Sequence, residues 1–421
     1  MLVQSAEEVA LAKMRASGAR GRAQLRKNHL RDTLTIIGET PPGTSAYRRQ
    51  ARSFMPVEIR LGDDVRSLDQ VRWCPGQEGN GFFLIMGSSG AGKTETLKLI
   101  GQQILEHGIP VLVLDFHGDV KVPWLPSVLM SSGTASWVGV NPMELDSHRA
   151  EEVGLYDQRM ALLDLIERAI PGLGHHQRTI LGEAIDTAYR QVGIREEDPE
   201  TWLHQPPTFA QVLAILRQWV VAEEWKSRRP SILGCVAAVE TAFGHPLFSR
   251  ARHLPMEEIL ETGVRLDLSR VSDGVRYMVA DTVLRKLFRM LSLLGPIPVE
   301  PESDLERFRL FVIIDEAKIM AGLPPRPNDA GLMINILVTE ARKFGVGLIL
   351  ASQMQEHLGA EVRANTSAWL VLRQIDWHQV RKNAADIGVA PDDLAQLKGK
   401  GDGFFRSQNG QLLQRVQVRR M

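Results

Sequence analysis

Short, wholly apolar runs alternate along this chain with longer stretches whose apolar positions recur every three or four residues. The runs are Phe82–Met86, Val111–Leu114, Leu310–Ile314 and Gly347–Leu350. Runs without polar interruption suit strands buried on both faces, as in a parallel sheet. The longer spacing predicts helices over Glu95–His107, Leu155–Ala169, Gln177–Val192, Phe209–Val221, Ile232–Phe243 and Tyr277–Leu294. Further strands are expected at Val264–Leu268 and Trp369–Arg373, and a half-exposed hairpin from Val57–Gly62 and Val71–Trp73. This alternation argues for an α/β fold with a mainly parallel sheet covered on both faces. Between 147 and 255 helical periodicity takes over, broken at Pro171-Gly172 and Gln205-Pro206-Pro207, which reads as an all-helical insertion. The expected organisation is a basic, partly helical arm over 1–56 and a β-rich entry with the first part of the core over 57–146. The insertion over 147–255 and the second part of the core over 256–421 complete it.

Composition narrows this little. With 50 basic and 50 acidic residues among 421, net charge names no partner. The only cysteines, Cys74 and Cys235, give no metal-ligand spacing, so a reducing cytoplasmic setting is the expectation. No apolar leader and no run of 18 apolar residues is present, so no membrane insertion is expected. Local charge is more informative. Segment 1–60 carries 11 Lys or Arg against 5 Asp or Glu, including Arg22 and Arg26. Such an arm serves either as a solvated, partner-docking helix or as a contact to a phosphate backbone.

The octet Gly87-Ser88-Ser89-Gly90-Ala91-Gly92-Lys93-Thr94, followed by Glu95, changes the picture more. It fits G-x-x-x-x-G-K-[ST] and lies between an expected strand and an expected helix. There the glycines let backbone N–H groups curl around a phosphate. Lys93 reaches the β/γ-phosphates and the Thr94 hydroxyl holds Mg²⁺. A carboxylate pair, Asp315-Glu316, ends the buried strand Phe311–Ile314. In a nucleotide site Asp315 would hold Mg²⁺ through water and Glu316 would orient the attacking water. Asp315 lies 222 positions beyond Lys93, room for the helical insertion within one sheet. Glu340-Ala341-Arg342-Lys343-Phe344-Gly345 leads into a strand that ends at Ser352-Gln353, where Gln353 could sense a γ-phosphate. Asp115, His117 and Asp119 follow the second strand; they read as a loop supporting the phosphate region, with a metal site as the alternative. Arg326, in a Pro-rich stretch, is a candidate DNA contact.

Together, Gly87–Thr94, Leu114–Asp119, Phe311–Glu316 and Glu340–Gln353 resemble the HerA–FtsK superfamily of P-loop motor ATPases, over roughly residues 57 to 421. The likeness is closest to the HerA-like branch, which includes conjugative secretion ATPases and ATPase subunits of antiphage systems. It implies a RecA-like core, ATP bound between subunits of a hexameric ring, and double-stranded DNA in the pore. It also implies a cation reaching the neighbour's γ-phosphate, carried here to Arg342, with Lys343 and Arg373 as lesser candidates. The chain departs from HerA before Gly87, where 86 residues leave too little for a separate β-barrel domain. The expected function is an ATP-hydrolysing, ring-forming translocase or helicase of double-stranded DNA, working with a partner nuclease in DNA processing or antiphage defence. The alternatives are a conjugation-type coupling ATPase and a nucleotide-gated scaffold for an effector.

Overall fold

The computed structural model describes residues 56–133, 138–145, 154–170, 172–250, 252–320, 333–408 and 413–419. Eleven strands form one sheet. They are β1 (Ile59–Asp64), β2 (Gln70–Trp73), β3 (Phe82–Met86), β4 (Val111–Asp115), β5 (Ser127–Leu129) and β6 (Val264–Asp267). After these come β7 (Leu310–Ile314), β8 (Val346–Ser352), β9 (Ala368–Leu372), β10 (Asp402–Ser407) and β11 (Gln414–Val418). The order is β2-β1-β11-β10-β9-β3-β8-β7-β4-β6-β5. From β9 to β5 every pairing is parallel. From β2 to β9 every pairing is antiparallel.

The expected hairpin forms as β1–β2, and its inward residues Ile59, Leu61, Val71 and Trp73 are buried. β1 also pairs with β11, Gly62 opposite Val418, which joins both ends of this unit to one sheet.

The uninterrupted apolar runs are two-faced. On β3, Phe82, Leu84 and Met86 enter one core while Phe83 and Ile85 enter the other. One face is covered by α1 (Lys93–Glu106) through Leu97, Ile100 and Ile104. Gly101 lets this helix approach closely, because a Cβ there would lie 3.0 Å from Ile313.

The other face receives the helical block, α2 (Leu155–Ala169), α3 (His175–Gln191), α4 (Phe209–Val221) and α5 (Arg229–Phe243). With it pack α6 (Met256–Thr262), α7 (Asp273–Leu293) and α8 (Met333–Glu340). The block leaves and rejoins the sheet through a neck at which Gly139 bridges His253. A polar cluster ties the neck to α7: Lys286 donates to Glu144, and Arg289 donates to Gln158 at 2.7 Å.

Four helices start earlier than spacing suggested, α1 at Lys93, α3 at His175, α5 at Arg229 and α7 at Asp273. α5 begins at Arg229 because Pro230 suits a first turn, and α7 begins at Asp273 behind Ser272. The three-residue β5 was not expected at all. Among the described residues no helix is long and apolar enough to cross a membrane.

Candidate active site

The parallel strands β3, β4, β7 and β8 end along one edge of the sheet, and the expected chemistry collects there. The Gly87–Thr94 loop leaves β3 and turns into α1. Gly90 and Gly92 take φ of 73° and 113°, a region costly for side chains. The Gly87 N–H donates to the Ser352 carbonyl of β8 at 3.2 Å, so the loop is anchored to the neighbouring strand. Lys93 folds over the loop: its Nζ donates to the carbonyls of Gly87 at 2.7 Å and Ser88 at 3.1 Å. Burial holds the Lys93 ammonium below its ordinary pKa, with nearby Glu316 opposing the shift. Glu95 sits in the first turn of α1 and pairs with Lys98 at 3.0 Å.

Asp315 and Glu316 follow β7. An Asp315 carboxylate oxygen accepts from the Phe116 N–H at 3.0 Å. Burial pushes the Asp315 carboxyl well above the usual carboxylate range; the Phe116 N–H opposes this, while Asp115, Asp119 and Glu316 add to it. Glu316 is 2 % exposed. Its Oε2 accepts from Gln353 Nε2 at 3.2 Å, and its Oε1 is buried without a partner. The two residues singled out separately in the sequence therefore meet.

The loop after β4 supplies what sequence reasoning placed only in outline. Asp115, Asp119 and Asp315 bring carboxylate oxygens within 4.8 Å of one another, and Thr94 Oγ1 donates to Asp119 Oδ2 at 3.4 Å. His117 is exposed. Asp115 is the support of this turn. Its Oδ1 accepts from the N–H groups of His117, Gly118 and Asp119 and its Oδ2 from Val120, at 2.7–3.3 Å. Arg265 on β6, which was not picked out, holds the same carboxylate through Nε at 2.7 Å. It also reaches Asp267 at 3.0 Å and Ser127 at 2.8 Å. The strand reads Val264-Arg265-Leu266-Asp267, an ordinary apolar–polar alternation that gave Arg265 no signal of its own.

The donor set fits Mg²⁺. It offers oxygens only, from Thr94, Asp119 and Asp315, and the mutual repulsion of the carboxylates is what a divalent cation relieves.

Other expected residues lie apart. Arg342 and Lys343 are exposed in the turn Ala341–Phe344 that precedes β8, at the opposite edge of the sheet from the phosphate loop. Neither can reach the site of its own chain, since a seven-residue strand spans about 20 Å. Arg373 instead follows β9 beside the loop, its carbonyl accepting from the Ser88 N–H at 3.0 Å. Arg22, Arg26 and Arg326 lie outside the described residues.

A parallel sheet with a phosphate loop on β3, a polar residue ending β8 and acids ending β7 defines the RecA-like class of P-loop NTPase folds. Within that class the chain is similar to the HerA-like motor ATPases. Residues 82–217 match the family model for the central domain of helicase HerA. A protein of Methanocaldococcus jannaschii described as a probable helicase is 22 % identical over 382 residues, covering 85 % of this chain and 66 % of the relative. The DNA double-strand break repair helicase HerA of Pyrococcus furiosus is 22 % identical over 370 residues, covering 77 % and 63 %. The chain thus spans just under two thirds of the length of these curated relatives. Among solved structures, VirB4 of Thermoanaerobacter pseudethanolicus superposes with a TM-score of 0.66 at 18 % identity, covering 86 % of this chain and 96 % of that one.

Proposed function

We propose that this chain hydrolyses Mg²⁺–ATP and uses the cycle to move along or unwind double-stranded DNA as a ring, most simply a hexamer. The observation that carries the reading is the Glu316–Gln353 hydrogen bond beside Lys93, Thr94 and Asp315 at one sheet edge. Lys93 exchanges its two loop carbonyls for phosphate oxygens, whose negative charge favours the ammonium that burial disfavours. Thr94 and Asp315, with Asp119, hold the metal, whose chemistry is to neutralise phosphate charge. Glu316 accepts a proton from the attacking water, and its unspent Oε1 is the free acceptor for it. Gln353 links that carboxylate to the end of β8 and so to the γ-phosphate position. Arg342 acts on the nucleotide of an adjacent subunit.

Support for DNA as the track comes from the described helicase relatives. The test is steady-state ATP hydrolysis with and without linear duplex DNA at two salt concentrations. Stimulation that disappears at raised salt is expected. Glu316→Gln is expected to lower the rate at least about 100-fold while nucleotide still binds. An unchanged rate in this variant removes the assignment of Glu316. Hydrolysis indifferent to DNA moves the reading to a secretion-type coupling ATPase. A nuclease partner is part of the proposal only as an expectation; copurification with a protein that cuts DNA checks it.

A further inference from the structure

The acids of the site lie on one side of the phosphate loop, toward β8, β7 and β4. On the other side, toward β9 and β10, the chain is strapped to the loop. The Arg373 carbonyl accepts from the Ser88 N–H at 3.0 Å, and the Ser88 hydroxyl accepts from the Ile375 N–H at 2.9 Å. The turn before β10 closes the same flank, the Gly401 N–H donating to the Ala91 carbonyl at 2.8 Å. This strapped segment turns large apolar groups outward. Ile375 is 72 % exposed, and Trp377, which opens the helix α9 (Trp377–Ile387), is 50 % exposed. In the same segment the Arg373 Nε is buried with no hydrogen-bond partner. A buried N–H left unspent costs free energy that a bound acceptor would recover.

We propose that residues 373–377 form the nucleoside flank of the nucleotide site of their own chain. Ile375 and Trp377 pack against the base, and Arg373 faces the phosphate run. This rests on the nucleotide reading above and adds where the rest of the ligand goes. With the metal end of a triphosphate between Thr94 and Asp315, the remainder extends away from the acids, over the end of β9. An aliphatic and an aromatic side chain recognise a flat base by buried area and stacking. Arg373 thereby becomes a group that serves its own subunit, and the cation from the neighbour is left to Arg342.

Isothermal titration with Mg²⁺–ADP and with Mg²⁺–tripolyphosphate, which has the phosphates and no nucleoside, tests this. The double variant Ile375→Ala/Trp377→Ala is expected to lose about tenfold in ADP affinity, from the worth of one stacked base. Its tripolyphosphate affinity and thermal midpoint stay at the wild-type values, which shows that the loop itself is intact. Arg373→Ala is expected to weaken both ligands. Unchanged ADP affinity in the double variant overturns the proposal, as does an equal loss for both ligands. Arg373→Ala without effect on either ligand overturns its share. Wild-type protein that binds neither ligand overturns the nucleotide reading itself.

Discussion

Replacing Arg265 by methionine removes the cation on which the acidic turn of the site hangs. Arg265 is 5 % exposed and Asp115 is fully buried, and they meet at 2.7 Å. Removing one partner of a buried pair costs about 3–5 kcal/mol, because the other charge is left uncompensated. Asp115 keeps its four backbone N–H bonds, which stabilise the carboxylate and place the loss near the lower end, about 3 kcal/mol. The unit Arg52–Met421 has an unfolding entropy of about 0.8 kcal/mol/K from per-residue averages, so the thermal midpoint falls by about 4 °C. Because Asp119 and Phe116 ride on the same turn, half-maximal hydrolysis also moves to higher Mg²⁺. Differential scanning calorimetry and a Mg²⁺ titration read both effects. A midpoint within about 1 °C of wild type refutes the reasoning.

Three further outcomes are expected. Lys93→Ala and Arg342→Ala chains are each inactive alone, but mixing them restores measurable ATP hydrolysis, since some interfaces then pair an intact loop with an intact Arg342; no recovery on mixing removes the trans role. Gly92→Ala abolishes binding of a fluorescent ADP, because its φ of 113° disfavours a side chain and the new Cβ would lie 3.0 Å from the Gly401 nitrogen; wild-type affinity would show that the loop tolerates a side chain. Glu258 has its pKa pushed up to about 7 by burial, with Glu257 and Glu261 adding to it. The folded state therefore binds the proton more tightly than the unfolded chain. Its contribution to stability is full below the unfolded value of about 4.5 and is lost as pH rises through about 7. Glu258→Gln should accordingly raise the melting temperature more at about pH 8 than at about pH 5, and an equal effect at both would contradict that sign.

What was legible in the sequence was local. The phosphate loop sits in eight consecutive residues between a strand and a helix that announce themselves, and Asp315-Glu316 ends an unbroken apolar run. Gln353 stands out only beside the phosphate loop and Asp315-Glu316; alone it reads as a solvated residue after a buried strand. What was not legible depends on partners far apart. Arg265 and Asp115 are separated by 150 positions, and a single arginine in a strand reads as ordinary alternation. The pairing of β1 with β11 joins segments from the two ends of the unit, and no local pattern encodes it. β5 has only three residues and takes its place from β6. The arm with Arg22 and Arg26, and the stretch with Arg326, fall outside the described residues, so the expected DNA contacts rest on charge alone.

If Arg342 acts on a neighbour's nucleotide, as proposed, its placement across the sheet from the loop constrains how chains assemble. Donor and acceptor occupy different faces of one subunit, so a two-fold pair that matches a patch with itself leaves the chemistry unserved. Only a head-to-tail contact lets every chain give one arginine and receive another. Such contacts either close on themselves or grow without end, and the rotation between neighbours decides which. Turnover per chain should then fall steeply on dilution. On that proposal, the interface that completes catalysis is also the one that closes the ring before a filament forms.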